Sequence, residues 1–257
     1  MSSTFGSAYS GAYDLLYSDK DYKAECDLIE NLFRRYSKFP VSTVLDLGCG
    51  TGNHAFAMSS RGYDVLGIDR SESMLAVAQH RFRTSNNPGQ VRFQRGDIRT
   101  GSPGQQFDAA LILFAVLGYQ VENDDVLSAL NATRSALKPG GLLIFDVWYG
   151  PAVLHQKPSD RVKIIPTPEG KILRVASGEL DIPHQSCDVR FRLWQLAEGR
   201  VATEIEETHR MRYFFPLELS LILSSCGFHL IRIGAFPDFD KDPDESTWSV
   251  MAVAQAV

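Results

Sequence analysis

The sequence has little cysteine, and what it has is scattered. Cys26, Cys49, Cys187 and Cys226 form no C-x-x-C pair and stand beside no histidine cluster. That excludes a zinc site of ordinary spacing and a secreted disulfide framework; the four read as reduced, small apolar groups. Excess basic charge is also missing. Against 26 Lys and Arg stand 31 Asp and Glu, a net charge of −5 with His neutral. No basic stripe is available for a nucleic-acid backbone. No apolar run approaches the roughly 18 residues of a membrane span. Residues 1–13 lack the charged and apolar regions of a signal peptide. Repeats and low-complexity segments are absent too. These absences predict a cytoplasmic protein with no metal, no membrane and no nucleic-acid partner. What is present is a chain of 257 residues, 44% hydrophobic and 22% charged. That is enough to bury a core without staples, and the balance is not that of a disordered chain.

The hydrophobic pattern changes character along the chain. Residues 4–18 are rich in Tyr, Ser and Gly and carry little period. Residues 21–36 read as a helix with Ala24, Leu28, Leu32 and Phe33 as its apolar stripe. From 42 to 147, short β-branched runs alternate with helical ones. Strands are expected at 42–47, 63–68, 91–95, 107–114 and 142–147, with helices at 53–61, 71–82 and 123–137. Ser71 is a fair N-cap, and Gly62 closes a helix. This order predicts a parallel sheet covered on both faces. After Trp148 the pattern becomes apolar–polar alternation, at residues 164, 172–176, 188–196 and 201–213. Turns at Gly170, Gly178, Pro183, Glu198 and Gly199 separate the runs. No helix is expected between these strands. A helix at 216–225, with Pro216 in its first turn, and strands at 228–234 and 248–254 close the chain.

The chemistry centres on DLGCGTG, residues 46–52, between a strand and a helix. Glycines there allow a tight turn and let a ligand approach main-chain N–H groups. A dinucleotide fingerprint, G-x-G-x-x-G, would need a third glycine where Asn53 stands. The actual pattern is G-x-G-x-G, with Asp46 two residues before Gly48. An acid at that place suits a cationic group better than a pyrophosphate. Asp69 ends the second strand, at the place about 20 residues on where an acid accepts both hydroxyls of a ribose. Asp97, followed by Ile98, ends the third strand and is a natural partner for an adenine amino group. Strand carboxyl ends line the ligand crevice of an open parallel sheet. The plainer readings are a bare strand–helix turn for the glycines, a capping acid for Asp69 and a solvated turn for Asp97.

DLGCGTG, GIDRSESMLAVA (67–78), Gly96 with Asp97, FDAALIL (107–113) and LKPGG (137–141) together resemble the ordered motifs of class I S-adenosylmethionine-dependent methyltransferases. The match spans roughly residues 40–150. It implies a Rossmann-like α/β fold with a seven-stranded, mostly parallel sheet whose last strand is antiparallel, here carrying an antiparallel β insertion. It implies S-adenosylmethionine as cofactor, held by Asp46, Gly48, Gly50, Asp69, Arg70, Met74, Asp97 and Ile98. Phe114 follows the fourth strand, where that family lines the methyl-transfer site. YDLLY (13–17) and Lys20-Asp21-Tyr22 further resemble the entry segment of small-molecule N-methyltransferases, of the amino-sugar or glycine and sarcosine type. On that likeness Tyr13 and Tyr22 cover the methionine end of the cofactor, and Tyr17 faces the acceptor.

Methyl transfer from a sulfonium needs alignment and exclusion of water, and an amine acceptor must arrive neutral. His209 and Tyr119 are the candidate catalytic groups by position, with His184 as a further histidine. Trp148, Tyr149 and Arg210 are candidate substrate contacts, and Arg212 could join Arg210 on an anionic acceptor. A structural histidine and a solvated strand face are the plain readings of His209 and of the arginines. The expected division is residues 1–39 as lid and helix, 40–149 as cofactor core, 150–213 as insertion and 214–257 as the end of the core. Exposed edge strands in the insertion would let two copies pair, or it could cover the substrate. The expected reaction is methyl transfer to a small molecule at an amine nitrogen. The alternatives are an O-methyltransferase, a non-catalytic cofactor-binding partner and, disfavoured by Asn53, an NAD oxidoreductase.

Overall fold

The computed structural model describes residues 13–84, 90–100, 103–197 and 200–257. Most of the tyrosine-rich start and the turn residues Glu198 and Gly199 lie outside these. After a helical turn at residues 13–16 come α1 (Tyr22–Tyr36), β1 (Thr43–Leu47), α2 (Asn53–Ser59), β2 (Asp64–Asp69), α3 (Glu72–Thr84), β3 (Val91–Arg95) and β4 (Phe107–Ile112). A 3₁₀ turn, Val116–Tyr119, precedes α4 (Asn123–Ala136), β5 (Leu137–Trp148) and α5 (Gly150–Gln156). Then come β6 (Arg161–Thr167), β7 (Gly170–Asp181), β8 (Ser186–Ala197), β9 (Arg200–Arg212), α6 (Pro216–Ser225), β10 (Phe228–Ala235) and β11 (Ser249–Ala256).

Seven strands form one sheet in the order β10-β11-β5-β4-β1-β2-β3. β11 runs antiparallel to both neighbours, and the other pairings are parallel. The continuous apolar runs are explained by burial of both faces. Val44, Leu111 and Ile144 pack on Ile29 and Leu32 of α1 and on Met58 of α2. Their neighbours Leu45, Ile112 and Phe145 pack on the other side, with Leu130 of α4 and Leu223 of α6. Chain order runs outward from β1 through β2 to β3, and the other way through β4 and β5. The carboxyl ends of β1 and β4 therefore diverge, which opens a crevice between them.

The second sheet has the order β6-β7-β8-β9 and is wholly antiparallel. Ile165, Ile172 and Leu193 on its inner face pack against Leu16, with Tyr13, Tyr17 and Phe191 alongside. Backbone bonds from Gly150 N–H to Phe214 and from Phe214 N–H to Trp148 fasten both ends of this excursion to the end of β5. The sheet thus covers the crevice at the carboxyl edge of the main sheet.

Local expectations hold with some corrections. The stripe of α1 is rotated: Cys26, Ile29, Leu32 and Phe33 are buried, whereas Ala24 is exposed. β5 begins at Leu137, so the LKPGG segment is extended and pairs beside β4. Between β5 and β6 stands α5, started by Pro151 in its first turn, where no helix was expected.

Asp108 shows how the amino ends of the strands are closed. Its Oδ2 accepts from the N–H and hydroxyl groups of Ser42 and Thr43, all at 2.9 Å, and its Oδ1 from Lys138 Nζ at 2.7 Å. Burial alone would raise its pKa. Lys138 and the Ser42 and Thr43 donors outweigh that and hold it well below the usual carboxylate range. An acid depressed in the folded state stabilises the fold above its unfolded pKa of about 3.9, and the contribution is lost as pH falls toward the folded value. Asp108→Ala is expected to cost about 2–3 kcal/mol in urea denaturation at neutral pH. Wild type should approach the variant's stability as the pH is taken below about 3.

Candidate active site

The crevice encloses a cavity of about 300 Å³. Four structural layers reach it: the carboxyl ends of the main sheet, residues 13–22, the 3₁₀ turn and the inner face of the small sheet. The floor is the glycine turn. Gly48, Gly50 and Gly52 all have positive φ, a region that side chains rarely adopt. Gly48 N–H and Cys49 N–H donate to the Ile68 carbonyl, at 2.7 and 3.1 Å, and tie the turn to β2. A Cβ on Gly48 would lie 2.5 Å from Val116, whereas one on Gly50 would meet nothing within 4 Å among the described residues. Gly48 is therefore closed by protein, and Gly50 faces open space.

Carboxylates ring this turn. Asp46, at the end of β1, is 3% exposed, and its Oδ2 has no hydrogen-bond partner among the described residues. Burial lifts its pKa to about 6; His54 opposes the rise and Asp69 adds to it. A buried acceptor aimed at a cavity is a place for a cationic donor. Asp69 accepts from Gly50 N–H and Ser71 N–H, both at 2.8 Å, so it shapes the turn while lining the cavity. Burial raises its pKa against those two donors. Asp97 also lines the cavity but is gripped by Arg99, whose Nη2 lies 2.7 Å from Oδ2 and holds the pKa down. Arg99 reaches Asp125 as well, at 2.8 Å. Arg70, Met74 and Ile98 complete this end.

The opposite wall is aromatic. Phe114 stands against Tyr17 with ring centres 4.9 Å apart, and Tyr13 lies 4.8 Å from Tyr17. Asp14 fixes this segment over the glycine turn by accepting from Thr51 Oγ1 at 2.7 Å. Lys163 Nζ holds it from the small sheet, donating to the Leu16 carbonyl at 2.8 Å. Tyr22 and Trp148 are also in the lining. Tyr119 lies on the 3₁₀ turn, its hydroxyl 2.8 Å from His209 Nδ1. His209 is 2% exposed.

Two expected substrate residues are not in the lining. Arg210 alternates with His209 along β9 and so points to the other face, where Nη2 meets Asp181 at 2.7 Å. Tyr149 packs on the core beside α6 and is bridged to Phe214. Arg212 is buried on Glu218 and the Phe214 ring, and exposed His184 pairs with Asp181. None of the four is brought to the cavity.

The sequence reading missed Asp146, at the end of β5. Its oxygens accept from Phe114 N–H and from Ala115 N–H, the latter at 2.9 Å. Phe114 and Ala115 both have positive φ, 66° and 55°, which is strained for residues with a Cβ. The clamp holds the end of β4 in the turn that aims Phe114 into the cavity. Burial raises Asp146 to about 6, opposed by Lys20 and by the two N–H groups. Lys20, Glu25 and His54 were missed as well. Lys20 Nζ meets Glu25 Oε1 at 2.5 Å, and Glu25 Oε2 meets His54 Nε2 at 2.7 Å. Nothing in local spacing joins these three. Asp146→Ala leaves two buried donors unmet and is expected to destabilise by about 2–4 kcal/mol in denaturant unfolding.

Comparison with known proteins agrees with this geometry. Residues 44–141 match the model of a methyltransferase domain family. A Bacillus subtilis (strain 168) protein named as a methyltransferase, YqeM, is 31% identical over 252 residues, covering 96% of this chain and 95% of its own. A Streptomyces venezuelae enzyme named dTDP-3-amino-3,4,6-trideoxy-alpha-D-glucopyranose N,N-dimethyltransferase is 32% identical over 146 residues. That match covers 56% of this chain and 58% of the enzyme. Among solved structures, an S-adenosylmethionine-dependent methyltransferase from Clostridium acetobutylicum ATCC 824 superposes with a TM-score of 0.82 at 20% identity, covering 97% of this chain and 98% of that one. The near-complete match to YqeM and the superposition over nearly the whole chain lead to one assignment: the chain belongs to the class I S-adenosylmethionine-dependent methyltransferases.

Proposed function

We propose that this enzyme methylates the amine nitrogen of a small molecule, and that an amino sugar on a nucleotide carrier is the acceptor class. The observation that carries the cofactor half is the buried Oδ2 of Asp46, unpaired among the described residues, beside the open face of Gly50. When bound, S-adenosylmethionine supplies a methyl carbon whose bond to sulfur breaks, the electron pair staying on sulfur, as the bond to the acceptor nitrogen forms.

The residues present fit that cofactor. Asp46 offers an anion to its ammonium. Asp69, braced by Gly50 and Ser71, offers lone pairs to the ribose hydroxyls, and Asp97 with Ile98 and Met74 borders the adenine. Gly48 and Gly50 leave main-chain room for its approach. Tyr13, Tyr22 and Phe114 cover the methionine end and exclude water. Tyr17 and Trp148 then border the acceptor, with Tyr119 and His209 as the polar groups at that end. Residues 1–39 supply a lid and a helix, and residues 150–213 are the insertion, which borders the acceptor or pairs two copies. Three observations support the amine. The polar pair Tyr119 and His209 lines this end, Arg210 points away from it, and relatives are named for N-methylation of dTDP-linked amino sugars.

Calorimetry with S-adenosylhomocysteine, with NAD as control, should show binding of the former alone. The double variant Asp46→Ala with Asp69→Ala should abolish it while the protein still unfolds cooperatively. Unchanged affinity would put the pocket elsewhere. Gly50→Ala adds a Cβ into the open space and should also lose binding, with about 1–2 kcal/mol of backbone strain. Affinity should fall as pH drops through about 6, because Asp46 and Asp146 then take up protons. An acceptor screen starting with dTDP-3-amino-3,4,6-trideoxy-α-D-glucopyranose should yield N-methyl product. Methylation of hydroxy analogues in place of amines would overturn the amine assignment.

A further inference from the structure

Lys20, Glu25 and His54 form a charged chain along the cavity wall. Glu25 accepts from Lys20 Nζ on Oε1 at 2.5 Å and meets His54 Nε2 with Oε2 at 2.7 Å. The three side chains are only 14%, 13% and 10% exposed. Lys20 and His54 line the cavity, and Glu25 joins them. Burial would raise the Glu25 pKa; His54 and Lys20 hold it down.

Local structure places Lys20. Its N–H donates to the Tyr17 carbonyl and its carbonyl accepts from Tyr22 N–H, both at 3.1 Å. Asp21 then caps α1 by accepting from Ala24 N–H at 2.9 Å. From this fixed corner the lysine stem carries Nζ to 4.4 Å from the centre of the Phe114 ring, 5.4 Å from Tyr22 and 5.9 Å from Phe236. An ammonium against aromatic faces and away from water makes a stronger ionic contact than one at the surface.

The cavity is lined by Asp46, Asp69, Asp97 and Asp146, and among the described lining residues Lys20 and Arg70 are the fixed cations. Arg70 follows Asp69 at the ribose end. Lys20 stands at the other end, joined through Glu25 to His54. His54 opposes the rise in the Asp46 pKa, as Lys20 does for Asp146. The ammonium and carboxylate of an amino acid share one carbon, so their partners must lie at the same end of a pocket. An ammonium has three N–H donors, and among the described residues Glu25 takes one of them. We propose that Lys20 anchors the carboxylate of S-adenosylmethionine, bridging it to Glu25. The amino-acid group of the cofactor then joins the N-terminal segment, at Lys20, to the floor of the crevice, at Asp46. This rests on the reading above that Asp46 takes the cofactor ammonium.

The test is calorimetry of the full-length protein with S-adenosylhomocysteine and with its decarboxylated analogue, which keeps the ammonium and lacks the carboxylate. No acceptor is added, so an anionic group on the acceptor cannot produce the difference. Wild type should bind S-adenosylhomocysteine about 10–100-fold more tightly than the analogue. Lys20→Met, similar in length and uncharged, should bring that ratio to about threefold or less, with affinity for the analogue within about twofold of wild type. If Lys20→Met does not unfold cooperatively, Lys20→Gln, which can still donate to Glu25, takes its place. A wild-type ratio under about tenfold overturns the proposal. So does a variant whose ratio stays above about threefold, or one that weakens both ligands alike, which is the mark of a merely structural lysine. Asp46→Asn should weaken both ligands, since both carry the ammonium. If it weakens neither, the placement at Asp46 fails, while the Lys20 ratio still reads the carboxylate.

Discussion

A carboxylate taken out of water is costly unless a donor or a cation replaces the solvent. This structure turns on how that requirement is met at the two ends of its main sheet. At the amino ends, Asp108 is fully satisfied by Ser42, Thr43 and Lys138, and the edge is closed. At the carboxyl ends, Asp69 and Asp146 are satisfied by backbone N–H groups that they force into unusual turns. Asp46 is left with an oxygen that no described residue meets. The same residue type thus serves as glue at one end and as a ligand socket at the other. The difference lies in whether the surrounding chain supplies donors.

The remaining architecture follows from keeping that socket dry. A seven-stranded, mostly parallel sheet buries both faces, so the ligand crevice lies where β1 and β4 part. The tyrosine-bearing segment around Leu16 closes the crevice from one side, pinned by Thr51 and Lys163. The small sheet closes it from another, and its inner face brings Phe191, His209 and Met211 to the site. Each layer covers apolar surface of its neighbour, as Leu16 does with Ile165, Ile172 and Leu193. The chain is fastened where the excursion leaves and rejoins, at Trp148, Gly150 and Phe214.

Most of the main sheet was legible in the sequence because both-face burial writes itself as unbroken apolar runs, and glycine turns mark where they stop. The cavity floor was legible for the same reason, since Asp46, Asp69 and Asp97 end three of those runs. What escaped was tertiary. Asp146 sits in FDVW, where it reads as one polar break in a strand, and only the fold brings Phe114 and Ala115 within its reach. Glu207 hides in the acidic stretch EIEETHR, which looks like a solvated face. Ile205 and Met211, two and four residues away, already set the inward phase of the alternation. Read from them, Glu207 and His209 face in and Arg210 faces out. The α1 stripe was misplaced by weighting Ala24, small enough for either environment, above Cys26.

The Asp146 clamp also restricts which sequences can carry this pocket. With φ positive at both Phe114 and Ala115, valine, isoleucine and threonine are barred from two adjacent positions of the wall. Variation there is confined to unbranched side chains, glycine or asparagine, whatever acceptor is being selected for. Neighbouring positions on β8 and β9 are ordinary strand and carry no such filter. Diversification of specificity within this architecture should therefore accumulate in the small sheet, while the end of β4 drifts slowly.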